Sequence, residues 1–236
     1  MEEKLIIIGR IHTGFREKFG IPRQSGLVPS LRGEIHFEGE FRNPDAIRGI
    51  EEYSHLWLLW GFTRAAWEKH SLTVAPPRLG GRERRGIFAT RSPFRPNSIG
   101  LSSVRLEEVR YGERGEPILV VSGADLLDET PIYDIKPFLP YTDNHPEAKG
   151  GFGQQHQAEG IMVDFPKNLQ ERLPQELRQT VFELLSQDPR AAYNKKPDYV
   201  YGMSYGDYDI RFTVSRGVLA VKEVVLRKDS EWRKVK

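Results

Sequence analysis

Short apolar runs separated by clusters of Gly, Pro and Asn dominate roughly the first 140 residues of the chain. Leu5–His12, Gly33–Glu38, Tyr53–Phe62, Ile87–Thr90, Gly100–Val109, Ile118–Ser122 and Pro131–Phe138 are rich in β-branched, aromatic and aliphatic residues, and each reads as a strand. So many short strands in a small region suggest a closed or nearly closed barrel, which hides its edges. The exception is Asn43–Glu52, which predicts one short helix with Asn43 as its cap and Pro44 at its first position.

The pattern changes after residue 141. From Tyr141 to Gly160 there is no Ile, Leu, Val or Met, but there are four glycines, as in a linker. Beyond it, Ile161–Phe165 predicts a strand. Pro174–Gln187 predicts a helix with Leu177, Val181, Leu184 and Leu185 on one face, and Tyr199–Tyr205, Tyr208–Ser215 and Val218–Leu226 predict three more strands. The expected fold is therefore mainly β with an α+β appendage: a barrel domain over 1–141, a linker over 142–160 and a small α+β domain over 161–236. The last piece is marginal as an independent core, so it is expected to lean on the first domain.

Composition adds little to this and excludes much. The chain is 38% hydrophobic and 29% charged, as an ordinary globular protein is. With no cysteine it has no disulfides or thiolate metal sites, which fits a reducing cytosol. Met-Glu-Glu-Lys before Leu5–Ile8 lacks the long apolar stretch of a secretory signal. The greasiest run, His55–Phe62, is far short of the ~20 residues of a membrane helix. These features predict a soluble cytoplasmic protein with no membrane partner. No GxGxxG, Walker loop or Gly-x-Ser-x-Gly elbow occurs, and the six histidines never pair with carboxylates at metal-ligand spacing, so no metal is expected.

The net charge of +2 is small, but its distribution is uneven. Between Arg78 and Arg105 stand seven arginines and a single acid, Glu83. Within Pro76–Ser103, Pro93 and Pro96 fix φ and Gly100 permits positive φ, so the stretch encodes a stiff loop bearing Arg91 and Arg95. A solvated basic turn explains the same residues equally well. Arg82, Arg84, Arg85 and Arg95 suit phosphate contacts, which need charge and reach. His55, inside an apolar run, reads as a hydrogen-bonded core histidine. Trp57 and Trp60 read as core rather than as a stacking platform. Pro189 stops a helix; Arg190 and Tyr193 after it could reach RNA or an active site.

The string ATRSPFRPNSIGLS (89–102) resembles the signature of the TsaA-like family, also called the TrmO family of tRNA methyltransferases. Further blocks in the same order are similar: EKFGIPRQSGLVPS (17–30), IRGIEEYSHLWLLWGF (47–62), PPRLGG (76–81), DLLDETPIYDIKPFLPY (125–141) and QDPRAAY (187–193). The resemblance implies a small β-barrel that binds S-adenosylmethionine, usually at or near a homodimer interface, and a smaller C-terminal domain. It further implies methylation of N6 of threonylcarbamoyladenosine in the tRNA anticodon loop. On the same basis the donor site comprises Pro22, Arg23, Gln24, Thr63, Arg64, Arg91, Leu101, Asp125, Leu126, Leu127 and Asp128. Where the family carries Phe-His after its tryptophan-rich strand, this chain has Phe62-Thr63-Arg64. Tyr133, Asp134 and Lys136 are the candidate catalytic groups, although Asp134 could equally be an ion-pair partner of Lys136. A non-catalytic RNA-binding barrel, or a methyltransferase for another RNA or a small molecule, are the alternatives.

Overall fold

The computed structural model describes residues 4–63, 71–76, 83–155, 160–190 and 199–229. In chain order the strands are β1 (Gly9–Thr13), β2 (Arg32–Phe37), β3 (His55–Gly61), β4 (Thr73–Val74), β5 (Arg85–Gly86), β6 (Ile99–Tyr111), β7 (Pro117–Ser122) and β8 (Thr130–Pro137). The second half adds β9 (Met162–Asp164), β10 (Tyr201–Tyr205), β11 (Tyr208–Ser215) and β12 (Val218–Leu226). The helices are α1 (Pro140–Asp143), α2 (Gly151–Gln155), α3 (Lys167–Gln170) and α4 (Gln175–Ser186).

Six strands close into a barrel in the order β1-β2-β7-β6-β3-β8, every neighbouring pair antiparallel. Closure satisfies every edge without a partner chain. Alternate residues fill the interior, as period-2 patterning requires. Leu56, Leu58 and Trp60 of β3 meet Ile11, Ile35, Val104, Leu119, Val121 and Ile132 there. The outward-facing Trp57 is held instead by α1, its indole N–H donating to Asp143 Oδ2 at 2.9 Å.

Two local expectations fail. Asn43–Glu52 is not one helix but two 3-10 turns, Pro44–Ile47 and Ile50–Glu52. Asn43 does cap, accepting from the Asp45 amide, but Gly49 at φ 84° breaks the run after one turn. The apolar spacing Ile47–Ile50 is the three-residue repeat of a 3-10 turn, not the alternating three and four of an α-helix. Ile87–Thr90 is likewise a 3-10 turn over Ile87–Ala89, with Ile87 buried and Phe88 80% exposed. Of the short helices, α1 ends just inside the segment 142–160 and α2 lies within it.

The C-terminal sheet runs β10-β11-β12-β9, with β9 parallel to β12 and the other pairs antiparallel. The α4 face Val181, Leu184 and Leu185 is buried in its core. That core is not built from the C-terminal residues alone. Phe15, Val28 and Leu31, from the long β1–β2 connection, are almost wholly buried within it. Each such side chain contributes about 1.5–3 kcal/mol on burial, which fastens this barrel connection to the second sheet.

Candidate functional site

One end of the barrel opens into a cleft of about 780 Å³. Four segments far apart in sequence supply its walls. The β1–β2 connection brings Ile21, Pro22, Arg23 and Gln24; the end of β3 brings Trp60, Phe62 and Thr63. The loop after β5 brings Phe88, Thr90, Arg91 and Arg95, which the start of β6 extends with Leu101; the β7–β8 connection brings Asp125 and Leu127, and the start of β8 brings Thr130. A smaller concavity of about 380 Å³ lies beside Arg42, Pro44 and the β6–β7 hairpin tip. It has no aromatic wall and no converging set of family blocks.

The floor of the large cleft is a hydrogen-bonded relay. The Trp60 indole N–H donates to Ser102 Oγ at 3.0 Å, and the Ser102 hydroxyl donates to Asp125 Oδ1 at 2.6 Å. Gly100 pairs directly with Trp60 across β3 and β6. A Cβ on Gly100 would stand 2.3 Å from the indole ring, so the close approach of Trp60 requires the glycine. This corrects the expected reason, since Gly100 is not among the residues with positive φ.

The arginine loop is stiffened by bonds from side chain to backbone. Arg95, half-buried, donates from Nη1 to the carbonyls of Thr90 at 3.1 Å and Ser92 at 3.4 Å. Thr90 Oγ1 accepts from the Ser92 amide, and Ser92 Oγ from the Phe94 amide. The loop is tied to β3 where the Phe62 amide donates to the Ser98 carbonyl at 2.8 Å. Arg91 stands exposed at the rim, and its Nη1 donates to Gln24 Oε1. The reading of Arg91–Arg95 as a solvated turn therefore gives way to a braced loop.

Asp125 is half-buried on the floor. Burial pushes its carboxyl above the usual carboxylate range, and the Ser102 hydroxyl and nearby Arg91 only partly oppose it. The raised value means that ionisation costs native stability as pH rises through it, while below the ordinary carboxylate pKa both states are protonated. Asn keeps an acceptor for Ser102. Asp125→Asn is thus expected to melt higher than the unaltered protein at neutral pH, with the advantage vanishing near pH ~4. Thermal melts of both across that range check it; a constant difference would show that ionisation is not responsible.

Of the expected donor-site residues, Pro22, Arg23, Gln24, Thr63, Arg91, Leu101, Asp125 and Leu127 line the cleft together. Leu126 is wholly buried in the barrel core. Asp128 accepts from the Thr13 amide at 3.0 Å and lies beside His12. With Glu129 these make a partly exposed trio whose ligand-type atoms lie within 4.8 Å of one another, a grouping created by strand pairing and invisible to sequence spacing. Arg64, Arg82 and Tyr193 fall outside the described residues.

On β8, Asp134 and Lys136 form an ion pair of 2.8 Å and do not line the cleft. Tyr133 does not line it either, but its ring abuts Gly61, which does. Arg84 is exposed and bonded to Ser71 and Thr73; Arg85 pairs with Glu83 and lies 6.0 Å from the Phe152 ring centroid. Arg190 is buried, with its guanidinium forked onto Asp188 at 2.8 and 2.9 Å. His55 is exposed at the start of β3, hydrogen-bonded to Ser54 at 2.9 Å, so the expectation of a core histidine is wrong. Trp60 is core and cleft floor at once, and Ser102 was missed altogether. Its inward place two residues after Gly100 was the only available signal.

The architecture is thus a closed β-barrel domain with a basic-rimmed, acid-floored cleft at one end. The family pattern of the tRNA-methyltransferase O N-terminal domain matches residues 10–144, and that of the TrmO C-terminal domain matches residues 158–227. The chain belongs to this TrmO family. It is 42% identical to the tRNA (adenine(37)-N6)-methyltransferase of Escherichia coli K12, over 88% of this chain and 92% of that one. It is 43% identical to a Pseudomonas aeruginosa protein bearing the name "Putative S-adenosylmethionine-dependent methyltransferase RcsF", over 89% and 91%. Among solved structures, a TrmO crystal structure superposes with a TM-score of 0.77 at 35% identity, covering 95% of this chain and 100% of the other.

Proposed function

We propose that this chain transfers a methyl group from S-adenosylmethionine to N6 of threonylcarbamoyladenosine at position 37, beside the anticodon of certain tRNAs. The observation that carries this reading is the convergence of four family blocks on one cleft with a cationic rim, a half-buried carboxylate and an apolar wall. The Escherichia coli relative's name supports the base and the atom; the threonylcarbamoyl group is the finer part of the proposal.

The cleft fits the donor. Its volume lies within the roughly 300–1,000 Å³ usual for small-molecule sites. Arg91 and Arg23 offer charge-assisted bonds to a carboxylate, Asp125 accepts from ribose hydroxyls or an ammonium, and Leu101, 54% exposed, offers an apolar face to adenine. The donor supplies an activated methyl on a sulfonium. The protein's task is then alignment and exclusion of water, which a braced loop on a closed barrel performs well. A proton has to leave the accepting nitrogen. Of the three candidates on β8, Tyr133 abuts a lining residue while Asp134 and Lys136 pair with each other, and Tyr133 is the one retained.

For the RNA, Arg84, Arg85 and Arg95 sit on the same loop system as Arg91, and the exposed Phe88 and Phe94 stand beside them. Charge with unshielded aromatic faces suits a splayed single-stranded loop. A cytoplasmic homodimer belongs to the same proposal. No described helix is long and apolar enough to cross a membrane.

The test is methyl transfer from labelled donor to tRNA carrying either threonylcarbamoyladenosine or plain adenosine at position 37, read by nucleoside mass spectrometry. One added methyl on the modified nucleoside only is expected. Methylation of plain adenosine at equal rate would remove the threonylcarbamoyl group from the reading, and no transfer to either would remove the reading itself.

A further inference from the structure

We propose that the C-terminal domain is a working part of the donor site, with Glu183, Asp188 and Arg190 acting as positioning residues for Arg23 and Gln24. The inference rests on the reading of the cleft as the donor site.

The donor-side segment Pro22-Arg23-Gln24 sits in the middle of a connection, residues 14–31, that the second domain grips at its start, its middle and its end. At its start, Phe15 is wholly buried in the C-terminal core and the Gly206 amide donates to the Gly14 carbonyl at 2.8 Å. At its end, Val28 and Leu31 enter the same core. There one carboxylate oxygen of Glu183 on α4 accepts both the Ser30 hydroxyl at 2.7 Å and the Ser30 amide at 3.2 Å. The Thr180 hydroxyl donates to the Ser30 carbonyl at 3.1 Å. In the middle, Arg23 Nη2 donates to the main-chain carbonyl of Arg190 at 3.2 Å.

The residue that offers this carbonyl, Arg190, is itself buried. Its guanidinium forks onto Asp188, whose backbone is left-handed at φ 48°, and it lies 5.9 Å from the Tyr201 ring centroid. That arrangement fixes the backbone just beyond α4, and with it the carbonyl that Arg23 uses. A phosphate-binding arginine needs an exposed guanidinium; this one has 8% of its side chain exposed. Beside Arg23, Gln24 receives Arg91 from the opposite wall. A continuous chain of contacts thus joins the end of α4 to the arginine rim. Burial pushes the Glu183 carboxyl up, but Gln179 and Ser30 outweigh it, and the group stays ionised through the neutral range as the grip on Ser30 requires.

The experiment uses the full chain, with Glu183→Gln, Asp188→Asn and Arg190→Lys, and Glu223→Gln as a control in the Arg211–Glu223 pair, which joins β11 to β12 within the C-terminal sheet. Calorimetry with S-adenosylmethionine alone is expected to show donor affinity weaker by roughly fivefold to twentyfold in Glu183→Gln and Asp188→Asn, less in Arg190→Lys, and unchanged in the control. Amide exchange over residues 14–31 should quicken in the same order, while tRNA affinity stays within about twofold, a split that general destabilisation does not produce. Unchanged donor affinity in the weakened variants, or a loss confined to tRNA affinity, would overturn the proposal and make the domain an RNA contact only. If melting shows that a charge variant does not fold, Ser30→Ala carries the same expectation at smaller size, about twofold to threefold. Absence of donor binding by the unaltered protein would sink the functional reading, and this inference with it.

Discussion

Gly100→Val is expected to lower both the melting temperature and methyl transfer, with the larger loss in transfer. The new Cβ alone would lie 2.3, 2.4 and 2.7 Å from three atoms of the Trp60 indole. Trp60 cannot move outward, because its ring is packed in the barrel core and its N–H is tied to Ser102. Strain of this kind costs about 1–3 kcal/mol, and roughly 2–4 °C of melting temperature per kcal/mol for a chain of this size. Function suffers more, since Ser102 positions Asp125 and a shift of about 1 Å in a catalytic floor can cost about 100-fold. Gly100→Ala should act in the same direction, less severely. Melting curves and donor-saturated transfer rates measured together decide it. Unshifted melting with full transfer would mean that the floor is softer than its contacts imply.

Arg91→Ala is expected to weaken donor binding by about 10- to 100-fold, the worth of one charge-assisted bond at ~1.5–3 kcal/mol. Arg91 is exposed and braces no core, and its partner Gln24 is also at the surface. Melting in the absence of donor should therefore stay nearly unchanged, and the loss should fall on KM for the donor more than on kcat. Arg91→Lys keeps the charge but not the planar fork, so an intermediate loss is expected. Equal donor affinity in all three proteins by calorimetry would take Arg91 out of the site.

Much of the barrel could be read from the chain because its strands obey one local rule. Alternation along β3, β6 and β7 places Leu56, Leu58, Trp60, Val104, Leu119 and Val121 inside whatever their neighbours are. The elements misread are those whose fate depends on one residue or on distant packing. Gly49 turned an expected helix into two tight turns, and Phe88 made an apolar run into an exposed rim. The grip of the second domain on residues 14–31 was foreshadowed only as a small domain leaning on a larger one. No local pattern marks Phe15 as part of a core most of whose members lie about 150 residues away or more.

The site divides the same way. Arg91, Gln24, Leu101 and Asp125 were legible through the family blocks, and the structure brings them to one cleft. Ser102 was not, because a serine on a strand carries no chemistry until an indole and a carboxylate are placed beside it. From the sequence, Arg190 could reach RNA or an active site. Its burial and its fork onto Asp188 are properties of the fold.

The most direct measurement is a crystal structure of the active protein grown with S-adenosylmethionine. The donor should lie in the barrel-end cleft, its charged end at Arg91 and Arg23 and its adenine against Leu101, with Asp125 in hydrogen-bonding reach. Donor density seated anywhere else, in crystals that still transfer methyl groups, would contradict the assignment of the site.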